Sequence, residues 1–194
     1  MQSNQTLLAR GLRLEYATLG WNVVGSVVVL ATASAARSVA LAGFGLDSLI
    51  EICASLIVIW QLKDTGQRHE RLARRLIGAA FCALAVYVLA QALYTLVLGR
   101  HPGTATLGSA WLGATLLVML ALAWGKLRTG RQLGHVVLLT EARVTLVDAY
   151  LAAAVLSGLL LNALAGWWWA DPLVGLVIVY YGVREGRAAW HAAR

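Results

Sequence analysis

Long apolar stretches separated by short polar ones run through this chain, and the stretches exceed what a soluble core needs. Six windows, roughly 16–34, 38–62, 76–98, 106–126, 136–165 and 170–187, each supply about the 20 mostly apolar residues that cross a hydrocarbon core. Lipid offers the backbone no hydrogen-bond partner, so each window is expected to be a helix. The expectation is an all-α, polytopic membrane protein: residues 1–194 as one transmembrane domain of six helices, with no soluble domain. A polar stretch with Arg10 and Arg13 precedes the first window, and no clear small-residue cleavage site follows it, which predicts a retained helix rather than a signal peptide. The segment from Asp64 to Arg75 reads as a basic loop feeding the third helix.

Composition agrees with the pattern, since 60% hydrophobic residues, 13% charged residues and a mean hydropathy of +0.72 fit no ordinary soluble domain. Charge then sets an orientation. With both termini cytoplasmic, that side holds Arg10, Arg13, Lys63, Arg68, Arg71, Arg74, Arg75, Lys126, Arg128, Arg131, Arg184, Arg187 and Arg194, and the other side only Arg37 and Arg100. The same bias explains the net charge of +7 without nucleic acid, leaving the lipid surface as the partner of the basic loops.

Several residue types are expected to be bland. Cys53 and Cys82 fall within spans with no metal or redox spacing and read as small buried residues. His69, His101, His135 and His191 are scattered over loops and helix ends. Trp167, Trp168 and Trp169 stand where the fifth and sixth spans meet, as an aromatic belt does. Asp171 reads as an N-cap of the last helix, with Pro172 in its first turn.

Four carboxylates do not fit the bland pattern. Asp47, Glu51, Glu141 and Asp148 lie inside apolar windows, where a charge costs at least ~2.5 kcal/mol at the helix centre. At 1.5 Å per residue, Asp47 and Glu51 lie roughly 15–20 Å from either end of the second span, and Asp148 roughly 25 Å along the fifth. Asp47 and Glu51 are one turn apart on one face, suited to holding one ion jointly. Glu141, Thr145 and Asp148 form a second stripe at i, i+4 and i+7. Glu141, nearer the cytoplasm, is placed to draw a cation in rather than to share it. Ser48 and Asn22 are further oxygen donors, though a helix-to-helix hydrogen bond explains Asn22 as well. The alternative that the acids merely pair with buried bases is weakened by supply, because only Arg143 is available within the spans, where it snorkels or meets Glu15. Carboxyls that shed protons as a cation binds make proton exchange the natural energy source.

These residues carry a resemblance. The run Gly43-Phe44-Gly45-Leu46-Asp47-Ser48-Leu49-Ile50-Glu51, then Ala54-Ser55-Leu56, resembles the second-helix signature of the cation diffusion facilitator (cation efflux) family. Glu141-Ala142-Arg143-Val144-Thr145-Leu146-Val147-Asp148 is similar to that family's other half-site, and Asp171-Pro172-Leu173-Val174-Gly175-Leu176 to its sixth-helix opening. The resemblance implies a homodimeric exporter of divalent transition metals, exchanging them for protons by alternating access, not an enzyme and without a resident cofactor. Carried over, Asp47, Glu51 and Asp148 are metal ligands, and the fourth position falls on Val144, which binds no metal. The chain lacks the histidine-rich loop between the fourth and fifth spans and stops about where the family's cytoplasmic domain begins, so a homodimer is expected to join through membrane helices.

Three carboxylates, completed by Thr145, Ser48, Asn22 or water, make a hard oxygen site that suits Mn²⁺, Fe²⁺, Mg²⁺ or Co²⁺, with Zn²⁺ also accommodated. The expected setting is integral to a membrane, a bacterial inner membrane being the natural one. Two other readings compete. A non-transporting scaffold binds a partner helix through the acids. An intramembrane aspartyl protease needs two midplane acids, and Gly43-Phe44-Gly45-Leu46-Asp47 misses its Gly-x-Gly-Asp motif by one residue, which turns the acid about 100° away.

Overall fold

The computed structural model describes residues 4–63 and 70–192, and there the chain is helical apart from short links. The helices are α1 (Asn4–Ala36), α2 (Val39–Lys63), α3 (Glu70–Val97), α4 (Thr106–Leu133), α5 (Val136–Ala165) and α6 (Ala170–Ala192). All six predicted windows are helices, but the helices outrun them at their polar ends. Residues 70–75, read as loop from sequence, are the first turns of α3, and α4 continues to Leu133. Arg, Leu, Glu and Ala there are good helix formers, so the helix persists after the apolar run has ended. Residues 64–69, with Arg68 and His69, lie outside the described residues.

Among the described residues, four helices are long and apolar enough to cross a membrane by length and composition: Gln5–Ala36, Gly78–Val97, Thr106–Leu133 and Leu138–Ala165. At 25 and 23 residues, α2 and α6 also reach about 35 Å. They pack among the other four, and they are the helices that carry Asp47, Glu51 and Asp171 inward.

Short links make successive helices antiparallel neighbours. Gly134 and Gly166 close α4 and α5 in the left-handed region, at φ 63° and 68°, where an L side chain is strained. At the other side of α1, Arg37 takes φ 53°, and Ser38 turns the chain straight into α2, accepting a 3.0 Å hydrogen bond from the Leu41 N–H as its cap.

The main packing partners are α1 with α2, α4 with α5, and α3 with α6. In the last pair, Gly182 and Gly186 face the α3 backbone. A Cβ on Gly182 would stand 3.2 Å from the Phe81 carbonyl oxygen, and one on Gly186 3.1 Å from that of Gly78. This is the small-x-x-x-small contact that lets membrane helices approach closely. Between α1 and α4, Trp21 stacks on Trp111 at 4.8 Å and donates a 3.1 Å hydrogen bond to Thr115. The apolar core, with Val29, Leu41, Val88, Leu112, Val155 and Ile178 among its buried residues, is weighted towards the end that holds the α1–α2 and α5–α6 links. The opposite half is left for polar groups.

Candidate functional site

Asp47 and Glu51 of α2 and Asp148 of α5 line a single cavity of about 370 Å³, walled also by α3 and α6. The sequence thus brings its three strongest candidates into one chamber from two antiparallel helices. Each is buried, at 6%, 4% and 5% exposure. Phe81, Leu151 and Ile178 belong to both the cavity wall and the core, so packed apolar side chains close the chamber towards the α5–α6 link. Thr140, Arg143, Arg184 and Glu185 line it towards the other end of the bundle, where α5 starts and α6 finishes.

Asp148 Oδ2 is buried without a hydrogen-bond partner. Buried polar atoms are nearly always satisfied, so this oxygen is free to accept a partner from within the chamber. Among the described residues, however, no three His, Cys, Asp or Glu side chains converge closely enough to hold a bare metal ion. The chamber has room for about ten waters, taking ~30 Å³ for each. Its geometry is that of an open, acid-lined vestibule rather than a closed coordination cage.

Behind it lies a second polar cluster that the sequence reading missed. Lys126 of α4, counted from sequence as a cytoplasmic-side cation, is fully buried. Its Nζ donates to Glu15 Oε2 of α1 at 3.0 Å and to Thr145 Oγ1 of α5 at 3.1 Å, and stands 3.8 Å from Glu141 Oε2. Lys126, not Arg143, is therefore the base available inside the bundle and the partner of Glu15. Arg143 is exposed and lines the cavity instead. Lys126 sits at the end of its apolar window, and because α4 continues for two more turns, a residue expected at the surface is carried inside. The helix-forming run after it was the available signal.

The remaining candidates separate accordingly. Glu141 and Thr145 face Lys126 rather than the chamber, with Thr145 Oγ1 also donating to the Glu141 carbonyl at 2.9 Å. The Ser48 hydroxyl donates to the Phe44 carbonyl at 3.0 Å, within its own helix. Asn22 is buried in α1, where its Nδ2 has no hydrogen-bond partner, and it does not line the chamber.

Asp171 also departs from expectation. Although it lies in the first turn of α6, its carboxylate caps α2, not its own helix: Ser38 Oγ donates to Oδ1, and the N–H groups of Val39 and Ala40 donate to Oδ2 at 2.8 and 3.3 Å. A carboxylate at a helix N-terminus is favoured by the macrodipole, and here it fixes the start of the helix that bears Asp47 and Glu51. Cys53 and Cys82 are free but exposed, not buried. His101 stacks on Trp168 at 4.9 Å and Trp167 on Trp169 at 5.1 Å, an aromatic group at the C-terminal end of α5. Among the described residues the histidines form no cluster. Glu185, which the sequence reading passed over, stands on the cavity wall, one turn beyond Tyr181 on the same face of α6.

A curated relative, Transmembrane protein 163 of Xenopus laevis, is 25% identical over 191 residues, covering 91% of this chain and 68% of its own. The family model described as the cation efflux transmembrane domain matches residues 16–188, from α1 through most of α6. The chain is an integral membrane protein that belongs to the cation efflux family, whose members are cation transporters.

Proposed function

We propose that this protein carries a divalent transition-metal ion, Mn²⁺, Fe²⁺, Co²⁺ or Zn²⁺, out of the cytoplasm in exchange for protons. Asp47, Glu51 and Asp148 bind the cation in this reading. The observation that supports it best is that these three acids, alone of the carboxylates foreseen from sequence, share one chamber, in which Asp148 keeps an orphaned oxygen. Oxygen ligands favour hard divalent ions, and the lack of cysteine or histidine on the chamber wall argues against a site for soft ones.

Both termini lie on the cytoplasmic side in this reading, as the Lys and Arg bias implies. The chamber then opens inwards and the apolar core seals it outwards. A hydrated cation enters, exchanges water for carboxylate oxygens as the acids turn towards it, and displaces the protons they carry. Movement of α2 and α5 against their neighbours opens the site to the far side, where reprotonation weakens binding and resets the cycle. The homodimer that the resemblance implies joins through membrane helices.

The test is flux of Mn²⁺, Fe²⁺, Co²⁺ and Zn²⁺ into proteoliposomes across an imposed pH gradient. Transport by the wild type that collapses with the gradient supports exchange. Folded protein with no flux of any of these ions overturns the reading. Binding without flux, seen as a Tm that rises by the equivalent of about 2.7 kcal/mol at 100 times Kd, would leave a cation-binding scaffold.

A further inference from the structure

The three acids leave the chamber short of a fourth donor, because Val144, at the position where the resemblance to the family places one, contributes an apolar wall. A carboxylate stands elsewhere on the same wall. Glu185 lines the chamber from α6, a helix from which no cation ligand was expected.

Depth brings Glu185 to the level of the other acids. Measured along each helix from its end at the α1–α2 or α5–α6 link, Glu51 lies about 18 Å in, Glu185 about 22 Å and Asp148 about 25 Å. Asp47 is one turn shallower.

The side chain of Glu185 is 32% exposed, whereas the other three acids are nearly sealed. It is therefore the acid a cation meets before it is dehydrated. Its ion pair with a basic neighbour is a loose one. Arg184 is 58% exposed and its Nε is 4.0 Å away, at the limit of an ion pair, while Arg143 sits on the α5 wall. Lys126, the remaining base near the acids, is engaged by Glu15 and Thr145.

We propose that Glu185 is the fourth carboxylate of the cation chamber, supplied by α6 in place of the donor missing at Val144, and that it holds the incoming ion through its water shell. This rests on the transport reading above. It explains why no three carboxylates converge on one point: in the open chamber the ion is shared through water among walls on three helices. The orphaned Asp148 Oδ2 then receives the ion after it has passed Glu185.

The experiment uses the full chain in proteoliposomes and in detergent, with Mn²⁺, Co²⁺ and Zn²⁺ as probes. Wild type, Glu185→Gln, Glu185→Asp and Asp148→Asn are compared for KM, kcat and metal-dependent Tm. Glu185→Gln should raise KM and Kd about tenfold, as loss of one charge at a partly wet site does, with kcat within about twofold of wild type. Glu185→Asp should recover most of the affinity, which a purely structural role would not predict. Asp148→Asn should abolish flux. Equal KM and Kd in wild type and Glu185→Gln overturn the role of Glu185 while the transport reading stands. A folded wild type that neither binds nor carries any of the ions overturns both.

Discussion

Lys126 of α4 donates a 3.0 Å hydrogen bond to Glu15 of α1 with both side chains fully buried, tying together helices 111 residues apart in sequence. The ammonium also reaches α5 through Thr145 and faces Glu141. One base thus serves three helices, among them the one that bears Asp148.

A buried charge stripped of its partner is costlier than the pair is beneficial, so Lys126→Met should destabilise the protein by about 3–5 kcal/mol. Glu15→Gln/Lys126→Met, which removes both charges of the bond, should be less destabilised than Lys126→Met alone. Thermal unfolding in detergent checks both. A Lys126→Met protein as stable as wild type contradicts the assignment of the cluster as a strut.

The cap that Asp171 places on α2 makes a separate prediction. Asp171→Ala leaves the Val39 and Ala40 N–H groups and the Ser38 hydroxyl without their acceptor, at a cost of about 1–3 kcal/mol. Asp171→Asn keeps one oxygen acceptor and should lose less. Because the cap fixes the start of α2, Asp171→Ala should also weaken metal binding, although it lies two turns from Asp47. Unfolding midpoints and metal titration of the two variants read out these effects.

Val144 offers a gain-of-function test. Val144→Asp places a further carboxylate on the chamber wall one turn from Asp148, at the position where the family resemblance puts a donor. Tighter metal binding by about tenfold, equivalent to 1.4 kcal/mol, is expected, together with a lower Tm without metal as like charges crowd. Unchanged affinity would show that position 144 does not face the bound ion.

Orientation is tested by labelling. With Cys53 and Cys82 replaced by alanine, Thr140→Cys at the mouth of the chamber should react with a membrane-impermeant maleimide from the cytoplasmic side of oriented vesicles. Protection by saturating metal should follow if the ion occupies the chamber. Labelling from the opposite side alone contradicts the inward opening.

The six helices were legible because apolar run length is a direct consequence of bilayer thickness, and α2 and α5 match their windows to within a residue. The acids were legible for the same reason, since a carboxylate in such a run stands out against its surroundings. What sequence did not reveal was which acids face one another. Glu141 and Asp148 lie two turns apart on one stripe, yet one turns to Lys126 and the other lines the chamber, a choice set by neighbouring helices. Lys126 and Glu185 were hidden by their positions at the ends of apolar windows, where a charge is ordinarily a topology marker. Asp171 was read as a local cap because its three-dimensional partner, the start of α2, is 132 residues away.

The central claim is that Asp47, Glu51 and Asp148 bind a divalent cation and yield protons to it. Calorimetric titration of the folded protein with Mn²⁺, Co²⁺ and Zn²⁺, repeated in buffers of different ionisation enthalpy, measures affinity and proton release together. The account predicts binding by the wild type with release of at least one proton per ion, and loss of that binding in Asp148→Asn. Equal binding by wild type and Asp148→Asn, or binding without proton release, would contradict it.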